Sequence, residues 1–194
     1  MNSQLSQEQI KAIQEKLKNM PPEQLKEMMK QQCLFCQISN NKIEAKKVYE
    51  DDEVLAVLDI NPASKGHTIV FPKEHYQVLA QIPEKLIEKL FNIANKMSSI
   101  IFETVQAEGT NIFVANGQAA GQNSPHAIIH IIPRFRDDNL GLIWEPKKGD
   151  DNELNELQSI IKNKASSIEI KKEKPKVVKK QKIKDEKSPP ERVP

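Results

Sequence analysis

Two histidines stand in an otherwise apolar run in the last third of the chain. The run His-Ala-Ile-Ile-His-Ile-Ile begins at His126 and is rich in β-branched residues, which favours a buried strand. Because alternate side chains on a strand share a face, His126, Ile128 and His130 are expected to point the same way. Ala127 and Ile129 are expected to point the opposite way. The run therefore predicts a core strand that carries two imidazoles on one face.

Other segments predict the sheet around this strand and a helix that covers it. Apolar residues recur at steps of three and four after Pro83, as in one long amphipathic helix. Strands that follow one another without helices between them favour antiparallel pairing. We predict an α+β fold with an antiparallel sheet of about five strands covered by the long helix, with extra N-terminal helices. The predicted strands are Val48–Tyr49, Val54–Leu58, His67–Phe71, Asn111–Ala115 and His126–Ile132.

The composition divides the chain into a core and its appendages. We predict an N-terminal helical extension over 1–32, a core domain over 33–136, a C-terminal extension over 137–168 and a disordered Lys-rich tail over 169–194. The N-terminal helices are interpreted as a packing arm in preference to a partner-binding element. A short helix is expected from Asn152 to Lys164.

Charge and cysteine usage restrict the location and the class of protein. The chain has a net charge of only +2, but ten basic and four acidic residues lie between Lys171 and Pro194. With two cysteines in all, a secreted disulfide framework is excluded. The apolar runs are shorter than the roughly 18 residues that a membrane helix needs, and the N-terminal segment has no signal-peptide pattern. We therefore expect a cytoplasmic protein.

Cys33 and Cys36 form a Cys-x-x-Cys pair, which can place two sulfurs on one metal ion. A redox pair usually follows a strand and opens a helix, whereas a Gln/Lys-rich helix is predicted before this one. Two buried structural thiols are a third interpretation. A metal site would need two more ligands, and the only histidines are His67, His75, His126 and His130.

Several motifs, all in one order, resemble the histidine triad (HIT) family, whose signature has three histidines alternating with apolar residues. The resemblance extends from Cys33 to Arg136 and leaves both terminal segments outside it. It implies a HIT-like fold and a homodimer. The matching segments are Cys33–Cys36, Val48–Asp51, Leu58–Pro62, Lys65–Thr68, Pro72–His75, Asn116–Gly117 and Gly121–Arg134.

The resemblance also implies a structural zinc ion. In the zinc-containing branch of the family, the Cys-x-x-Cys pair is completed by two histidines, which match His75 and His126 here. Two thiolates and two neutral imidazoles form a closed tetrahedral zinc site that stabilises a fold and leaves no position for a catalytic water.

A nucleotide site is implied as well. Asp59 matches the carboxylate that binds the ribose hydroxyls, and a carboxylate can accept from both of them. His67 matches a histidine that orients its neighbours. The simpler interpretations are that Asp59 forms a turn, that the Gly-Gln-Asn-Ser segment beginning at Gly121 is an ordinary loop, and that His67 is a core histidine with its hydrogen bonds satisfied. The residues matching the phosphate contacts and the pocket wall are Gly121, Gln122, Asn123, Asn116 and His130.

The chain departs from the family at the middle position of the triad. That histidine attacks the α-phosphate in the family, and Ile128 stands in its place. Since isoleucine has no lone pair, covalent nucleotidyl catalysis loses its nucleophile. We therefore predict a zinc-stabilised purine nucleotide-binding protein in which triad-type hydrolysis is lost or much reduced.

Two alternative functions remain open. One is an active hydrolase or phosphoramidase, acting on dinucleoside polyphosphates or nucleotidyl adducts, in which His130 activates water as a general base. The other is a binding scaffold whose basic tail contacts nucleic acid. A solvating tail is favoured over a nucleic-acid-binding one, because no aromatic residues interrupt the basic run.

Overall fold

The computed structural model describes residues 6–7, 11, 15–16, 18–141 and 145–168. The predicted Lys-rich tail and most of the first predicted helix lie outside these residues, although residues 7, 11, 15, 16 and 18 are helical. The chain divides into two compact units, one ending at residue 142 and the other beginning at residue 143. None of the described helices is long and apolar enough to cross a membrane.

Within residues 18–141, which the structure describes without a gap, the first unit contains three helices with defined bounds and five strands. Short 3₁₀ turns lie at Leu79–Gln81 and Gln118–Ala120. The helices are α1 (Pro22–Gln32), α2 (Leu34–Ser39) and α3 (Glu84–Val105). The strands are β1 (Lys47–Glu50), β2 (Val54–Leu58), β3 (Thr68–Pro72), β4 (Gly109–Phe113) and β5 (Ile129–Arg134).

The second unit contains α4 (Asp151–Ala165), which coincides with the helix predicted from Asn152 to Lys164. It begins there because the Asp150 carboxylate accepts hydrogen bonds from the backbone N–H groups of Asn152 and Glu153. Its side chains are exposed.

The five strands form one antiparallel sheet in the order β1-β2-β3-β5-β4. This confirms the predicted α+β class and the predicted number of strands. β4 lies at one edge of the sheet, and its Ile112 and Phe113 side chains are each 40% exposed.

Helix α3 covers one face of the sheet. It begins after Pro83, which is tolerated at a helix start, and ends at Gln106, whose backbone is left-handed with φ of 56°. Its apolar side chains pack against alternate residues of the three central strands, which accounts for the helical spacing seen in the sequence. The largest core cluster is formed by Leu86, Leu90, Ile93, Met97 and Ile101 of α3 with Val54, Ala56, Val70, Ile129 and Ile131 of the sheet.

Helix α2 covers the opposite face. Its Phe35 and Ile38 side chains pack with Leu55, Ile69 and Phe71 of the sheet, and the Phe35 and Phe71 ring centroids are 4.8 Å apart. The sequence analysis expected one covering helix and did not assign this role to the Cys-x-x-Cys segment. α2 has only six residues, which is too short for a helical repeat to identify.

The last strand begins three residues later than predicted, at Ile129 instead of His126. Pro72 ends the neighbouring strand β3 and has no backbone N–H, so the ladder cannot continue there. Ala127 N–H instead donates to the carbonyl of Tyr76 at 2.6 Å. His126 therefore lies in a connecting segment before the sheet.

Candidate functional site

Cys33, Cys36, His75 and His126 form a buried cluster at one end of the sheet. Cys33 is the residue that caps α2, and Cys36 lies one turn into that helix. His75 follows β3, and His126 precedes β5. One possible ligand atom of each residue lies within 4.8 Å of those of the others. Three separate chain segments thus bring two thiols and two imidazoles together.

Short contacts join the ring nitrogens to the sulfurs. His126 Nδ1 lies 3.3 Å from Cys33 Sγ and 3.7 Å from Cys36 Sγ. His75 Nδ1 lies 3.2 Å from Cys36 Sγ. Ligand atoms on one tetrahedral zinc ion are separated by about this much, because Zn–S and Zn–N bonds are about 2.3 and 2.0 Å long.

The backbone fixes the tautomer of His126. Its Nε2 donates to the Pro72 carbonyl at 2.9 Å, which leaves Nδ1 as the lone-pair nitrogen directed at the thiols. Burial lowers the pKa of His126 to about 4, so the ring is neutral near pH 7. Burial and the neighbouring Cys33 raise the pKa of Cys36 to about 12. A metal ion at this cluster must therefore displace thiol protons.

A cavity of about 380 Å³ lies beside this cluster, on the α2 side of the sheet. Its walls are mainly aliphatic, and Ile128 and His130 of the histidine run both line it. Ile128 and His130 thus lie on the same side as predicted, although Ile128 precedes the strand, whereas His126 lies in the cluster with Cys33 and Cys36. The polar residues on its lining are Glu44, Asp59, Asn61, Gln122, Asn123, Ser124 and His130.

His67 and His130 are connected by a hydrogen bond of 2.9 Å between His67 Nε2 and His130 Nδ1. Ala63 N–H donates to His67 Nδ1 at 3.1 Å, so the neutral His67 ring carries its proton on Nε2 and donates it to His130. Neutral His130 then accepts at Nδ1 and carries its own proton on Nε2. His130 can therefore offer a hydrogen-bond donor, and not a lone pair, at that nitrogen.

Both rings of this pair are neutral near pH 7. Burial lowers the pKa of His67, although the Asp59 carboxylate, 3.5 Å from Nδ1, opposes the shift. Burial also lowers the pKa of His130, and the neighbouring His67 lowers it further.

Gly66 makes the turn that leads into His67. Only glycine suits this position, because its φ is +89° and a Cβ there would lie 2.9 Å from Val105 Cγ1.

The loop that closes the cavity is held by the Gln122 amide. Its Oε1 accepts from Gly117 N–H at 2.7 Å, and its Nε2 donates to the carbonyls of Gln77 and Ser124 at 2.6 and 2.8 Å. Gln122 lines the cavity, but these three bonds occupy its amide. In this structure the Gln122 amide therefore positions the loop, and its contact with a phosphate stays a prediction.

The other predicted loop residues differ in their placement. Gly121 and Asn123 line the cavity, as predicted for a ligand site. Asn116 is not among the residues lining the cavity, and its Oδ1 accepts from Leu79 N–H at 3.0 Å. The structure thus brings Asp59, His67 and His130 together and directs Asn116 to the neighbouring loop.

Sequence reasoning missed the apolar wall of the cavity. Leu34, Phe35 and Ile38 of α2 contribute to it, together with Ile43 and Ile60. The apolar pair inside the Cys-x-x-Cys motif was the available signal, because a metal loop does not itself require Leu and Phe there. The Phe113 ring, whose centroid is 6.1 Å from that of His130, was also not identified.

Comparison with known proteins identifies the class to which this fold and site belong. The HIT domain matches residues 40–137. An uncharacterized HIT-like protein of Borreliella burgdorferi is 42% identical over 125 residues, covering 63% of this chain and 86% of that one. A Streptococcus mutans structure, SMU.412c, superimposes with a TM-score of 0.66 at 37% identity and covers 69% of this chain and 85% of that one. The chain belongs to the HIT family.

Two further relatives carry chemical information in their names. An adenosine 5′-monophosphoramidase of Candida albicans is 27% identical over 143 residues, covering 71% of this chain and 93% of that one. A Zn-bound histidine triad protein of Mycobacterium smegmatis superimposes with a TM-score of 0.55 at 28% identity, covering 72% of this chain and 99% of that one.

Proposed function

We propose that the protein binds a purine nucleotide in the cavity at Ile128 and His130 and that triad-type nucleotidyl hydrolysis is lost or much reduced. The presence of Ile128 on the cavity lining beside His130 carries this proposal. Ile128 occupies the position that matches the nucleophilic histidine of the family, and a hydrocarbon side chain cannot attack phosphorus. The phosphoramidase relative supports a nucleotide as the ligand class.

The binding roles are distributed around the cavity. Asp59 is proposed to accept hydrogen bonds from the ribose hydroxyls, and the aliphatic wall to hold the base. Gly121 and Asn123 are proposed to lie beside the 5′ substituent, where His130 offers a hydrogen-bond donor. His67 is a positioning residue, because its proton determines which nitrogen of His130 is protonated.

No other histidine is placed to replace the nucleophile. His126 belongs to the metal cluster and is directed at the thiols. Two residues along a strand span about 6.6 Å, so His130 lies well away from the position that Ile128 occupies. A nucleophile this far from its target is outside the tolerance of an in-line attack.

The alternative hydrolase mechanism needs His130 as a general base. A base requires an unprotonated nitrogen facing the attacking water. His130 Nδ1 is occupied by the His67 proton, and Nε2 carries a proton in the neutral ring. This tautomer favours donation to a ligand and argues against base catalysis.

Calorimetry and turnover assays on the same preparations test the proposal. The substrates are an adenosine 5′-phosphoramidate and a dinucleoside polyphosphate, and the proteins are wild type, Ile128→His and, as a control of similar volume, Ile128→Leu. We expect binding with negligible turnover in the wild type and in Ile128→Leu, and turnover increased by on the order of a thousandfold or more in Ile128→His. Wild-type turnover that His130→Ala abolishes would contradict the proposal.

We also propose that the Cys33, Cys36, His75 and His126 cluster holds a structural zinc ion. Soft thiolates combined with imidazoles are a donor set typical of zinc, and four protein ligands leave no open position for catalysis. The Zn-bound relative supports this assignment. Protein purified without a metal-affinity tag should contain about one zinc per chain. Cys33→Ser should lose it and His130→Ala should keep it; equal zinc contents in the two variants would refute the assignment.

The family resemblance further suggests a homodimer, and the edge strand β4 offers an interface. Its unpaired edge and its exposed Ile112 and Phe113 side chains are suited to pairing with a second copy. Light scattering should give twice the chain mass for the wild type and a smaller mass for Ile112→Lys. A monomeric wild type would refute this proposal.

The basic tail is proposed to keep the protein solvated, with at most weak, salt-sensitive contact to nucleic acid. A chain ending at Ala165 should bind nucleotide as tightly as the full chain. Tight RNA or DNA binding that this truncation removes would instead support the scaffold alternative. A cytoplasmic location stays a prediction of the sequence.

A further inference from the structure

The cavity contains groups that suit a nucleoside and few that suit a phosphate. Of the described residues that line it, none is Lys or Arg, and two, Glu44 and Asp59, are carboxylates. Sites that hold a phosphate dianion usually provide an Arg, a Lys or the N-terminus of a regular helix. Glu44 is paired with Lys46 at 3.5 Å, so the lining charge that has no neighbouring Lys or Arg among these residues is that of Asp59, which has the same sign as a phosphate.

The histidines do not compensate for this charge. Burial, together with its neighbour His67, keeps His130 neutral near pH 7. At Ile128, where the family signature has an imidazole, the lining is hydrocarbon. A phosphate that reaches this end of the cavity would thus lose water without gaining a cation.

Gln122, one of the two residues that resemble phosphate contacts, and the pocket-wall residue Asn116 are both hydrogen-bonded within the protein. Three hydrogen bonds to Gly117, Gln77 and Ser124 occupy the Gln122 amide. Asn116 is directed at Leu79. What remains on the loop is the Asn123 amide and the Ser124 hydroxyl, which are neutral donors that suit a ligand hydroxyl as well as a phosphate oxygen.

The rest of the cavity suits a base and a ribose. Its aliphatic wall includes Leu34, Ile43 and Ile60, which are exposed at the surface and offer a flat apolar contact for a ring. The Asp59 carboxylate faces this space with neutral His67 at 3.5 Å as its neighbour. A carboxylate attracts sugar hydroxyls and repels a phosphate dianion.

From this distribution of charge and hydrogen-bonding groups, we infer that the cavity recognises the nucleoside part of its ligand, so that a free purine nucleoside binds at least as tightly as its 5′-monophosphate. The inference rests on the proposed nucleotide-binding function and specifies that the nucleoside part, and not the phosphate, supplies the affinity. A 5′ substituent without charge is tolerated, whereas a phosphate dianion lowers affinity.

Calorimetry with adenosine and AMP, and with guanosine and GMP, tests this inference near neutral pH. We expect the nucleoside of at least one pair to bind about three to ten times more tightly than its monophosphate at low ionic strength, with the difference shrinking as salt screens the repulsion. Tighter binding of the monophosphate in both pairs overturns this inference alone. Absence of binding by all four compounds overturns the proposed function as well.

Two variants separate charge repulsion from other causes. Asp59→Asn should weaken nucleoside binding, because the ribose acceptor is altered, yet shift the ratio of affinities toward the monophosphate by about threefold or more. Ile128→His should shift the same ratio in the same direction, while Ile128→Leu should not. Glu44→Gln removes an equal charge from a side chain that is 89% exposed. The ratio of nucleoside to monophosphate affinity should therefore change much less in this variant. An unchanged ratio in both Asp59→Asn and Ile128→His overturns the inference.

Discussion

At the scale of single residues, one shared proton determines what His130 can offer a ligand. Ala63 N–H directs the His67 proton to Nε2, and His67 Nε2–H donates a hydrogen bond to His130 Nδ1. The group that His130 presents to the cavity thus depends on His67, the ring hydrogen-bonded to it. Removing the His67 ring should change the pKa and the tautomer of His130.

Replacing His67 by Ala should raise the pKa of His130 toward its usual value. The wild-type pKa is lowered first by burial and then by repulsion between the two rings when both are protonated, and the variant removes the second cause while admitting water. Nitrogen-15 NMR titration of the His130 ring measures both this pKa and the tautomer. A wild-type ring protonated at Nδ1 near neutral pH would contradict the hydrogen-bond direction described above.

The sequence predicted which residues meet but not always what they do. Cys33, Cys36, His75 and His126 are brought together as expected, because ligand spacing and family order are visible in the chain. Gln122 is predicted to contact phosphate, and the structure shows in addition that its amide bridges two loops, which the sequence did not indicate. A side-chain amide suits either role chemically, and only the positions of Gly117 and Gln77 decide between them.

At the scale of elements, residues 76–77 connect the buried cluster of two cysteines and two histidines to the loop that closes the cavity. Tyr76 accepts from Ala127 N–H, and Gln77 accepts from the Gln122 amide. His75 precedes this segment, and His126 ends the loop. A metal ion held by both histidines would therefore fix the loop at two places.

Replacing Gln122 by Leu should loosen the loop. The change leaves one N–H and two carbonyls without their partner, which costs about 1–3 kcal/mol of unfolding free energy where water does not replace it. Nucleoside affinity should fall by about tenfold, since ordering the loop then opposes binding. Gln118→Leu is the matched control, because Gln118 is exposed and only its backbone carbonyl is bonded in the loop. Equal effects of the two changes would contradict the positioning role.

Removing zinc with a chelator should increase hydrogen exchange in α2 and in the segment from His75 to Leu79. These parts are tied together by the proposed ion, whereas α3 packs through its own apolar face and should change less. Mass spectrometry of deuterium uptake measures this difference. Uniform uptake throughout the domain would indicate that the metal holds the whole fold and not these elements.

Element boundaries were predicted well where the pattern continued through the element. Val54–Leu58 was predicted at its observed bounds because all five residues are apolar and turn signals bound the segment on both sides. The start of β5 was predicted three residues too early, since the pattern of alternate residues continues through His126 although the ladder does not. Pro72 on the neighbouring strand β3 determines where β5 begins, and the local sequence of β5 carries no information about which residue pairs with it.

At the scale of the whole molecule, an ion pair fastens the end of the sheet to the chain that follows. Arg134 donates to the Asp138 carboxylate from Nε at 2.6 Å and from Nη2 at 2.9 Å, and to Asn111 Oδ1 at 2.7 Å. The N–H groups of Phe135 and Leu140 also donate to that carboxylate. These bonds hold the pKa of Asp138 well below its usual range, with Arg134 the largest cause.

This ion pair makes the folded protein less stable as the pH falls into the acid range. Because the folded-state pKa of Asp138 is lowered, its contribution is present above the unfolded value of about 3.9 and is lost as pH falls toward the folded value. Asp138→Asn should lower stability near pH 7 and show less further loss in acid. Urea unfolding at several pH values measures this. The exposed Asp137→Asn is the control, and a parallel pH dependence in the two variants would contradict the assignment.

The peptide groups of Pro72 and Ala63 have a consequence for how this site changes over generations. Each fixes the tautomer of one histidine through a main-chain atom: every substitution keeps the Pro72 carbonyl, and every one except proline keeps the Ala63 N–H. A mutation that removes one reactive side chain thus leaves the rest of the arrangement in place. If the proposed loss of triad chemistry holds, replacing Ile128 by His would place an imidazole among neighbours that are already oriented.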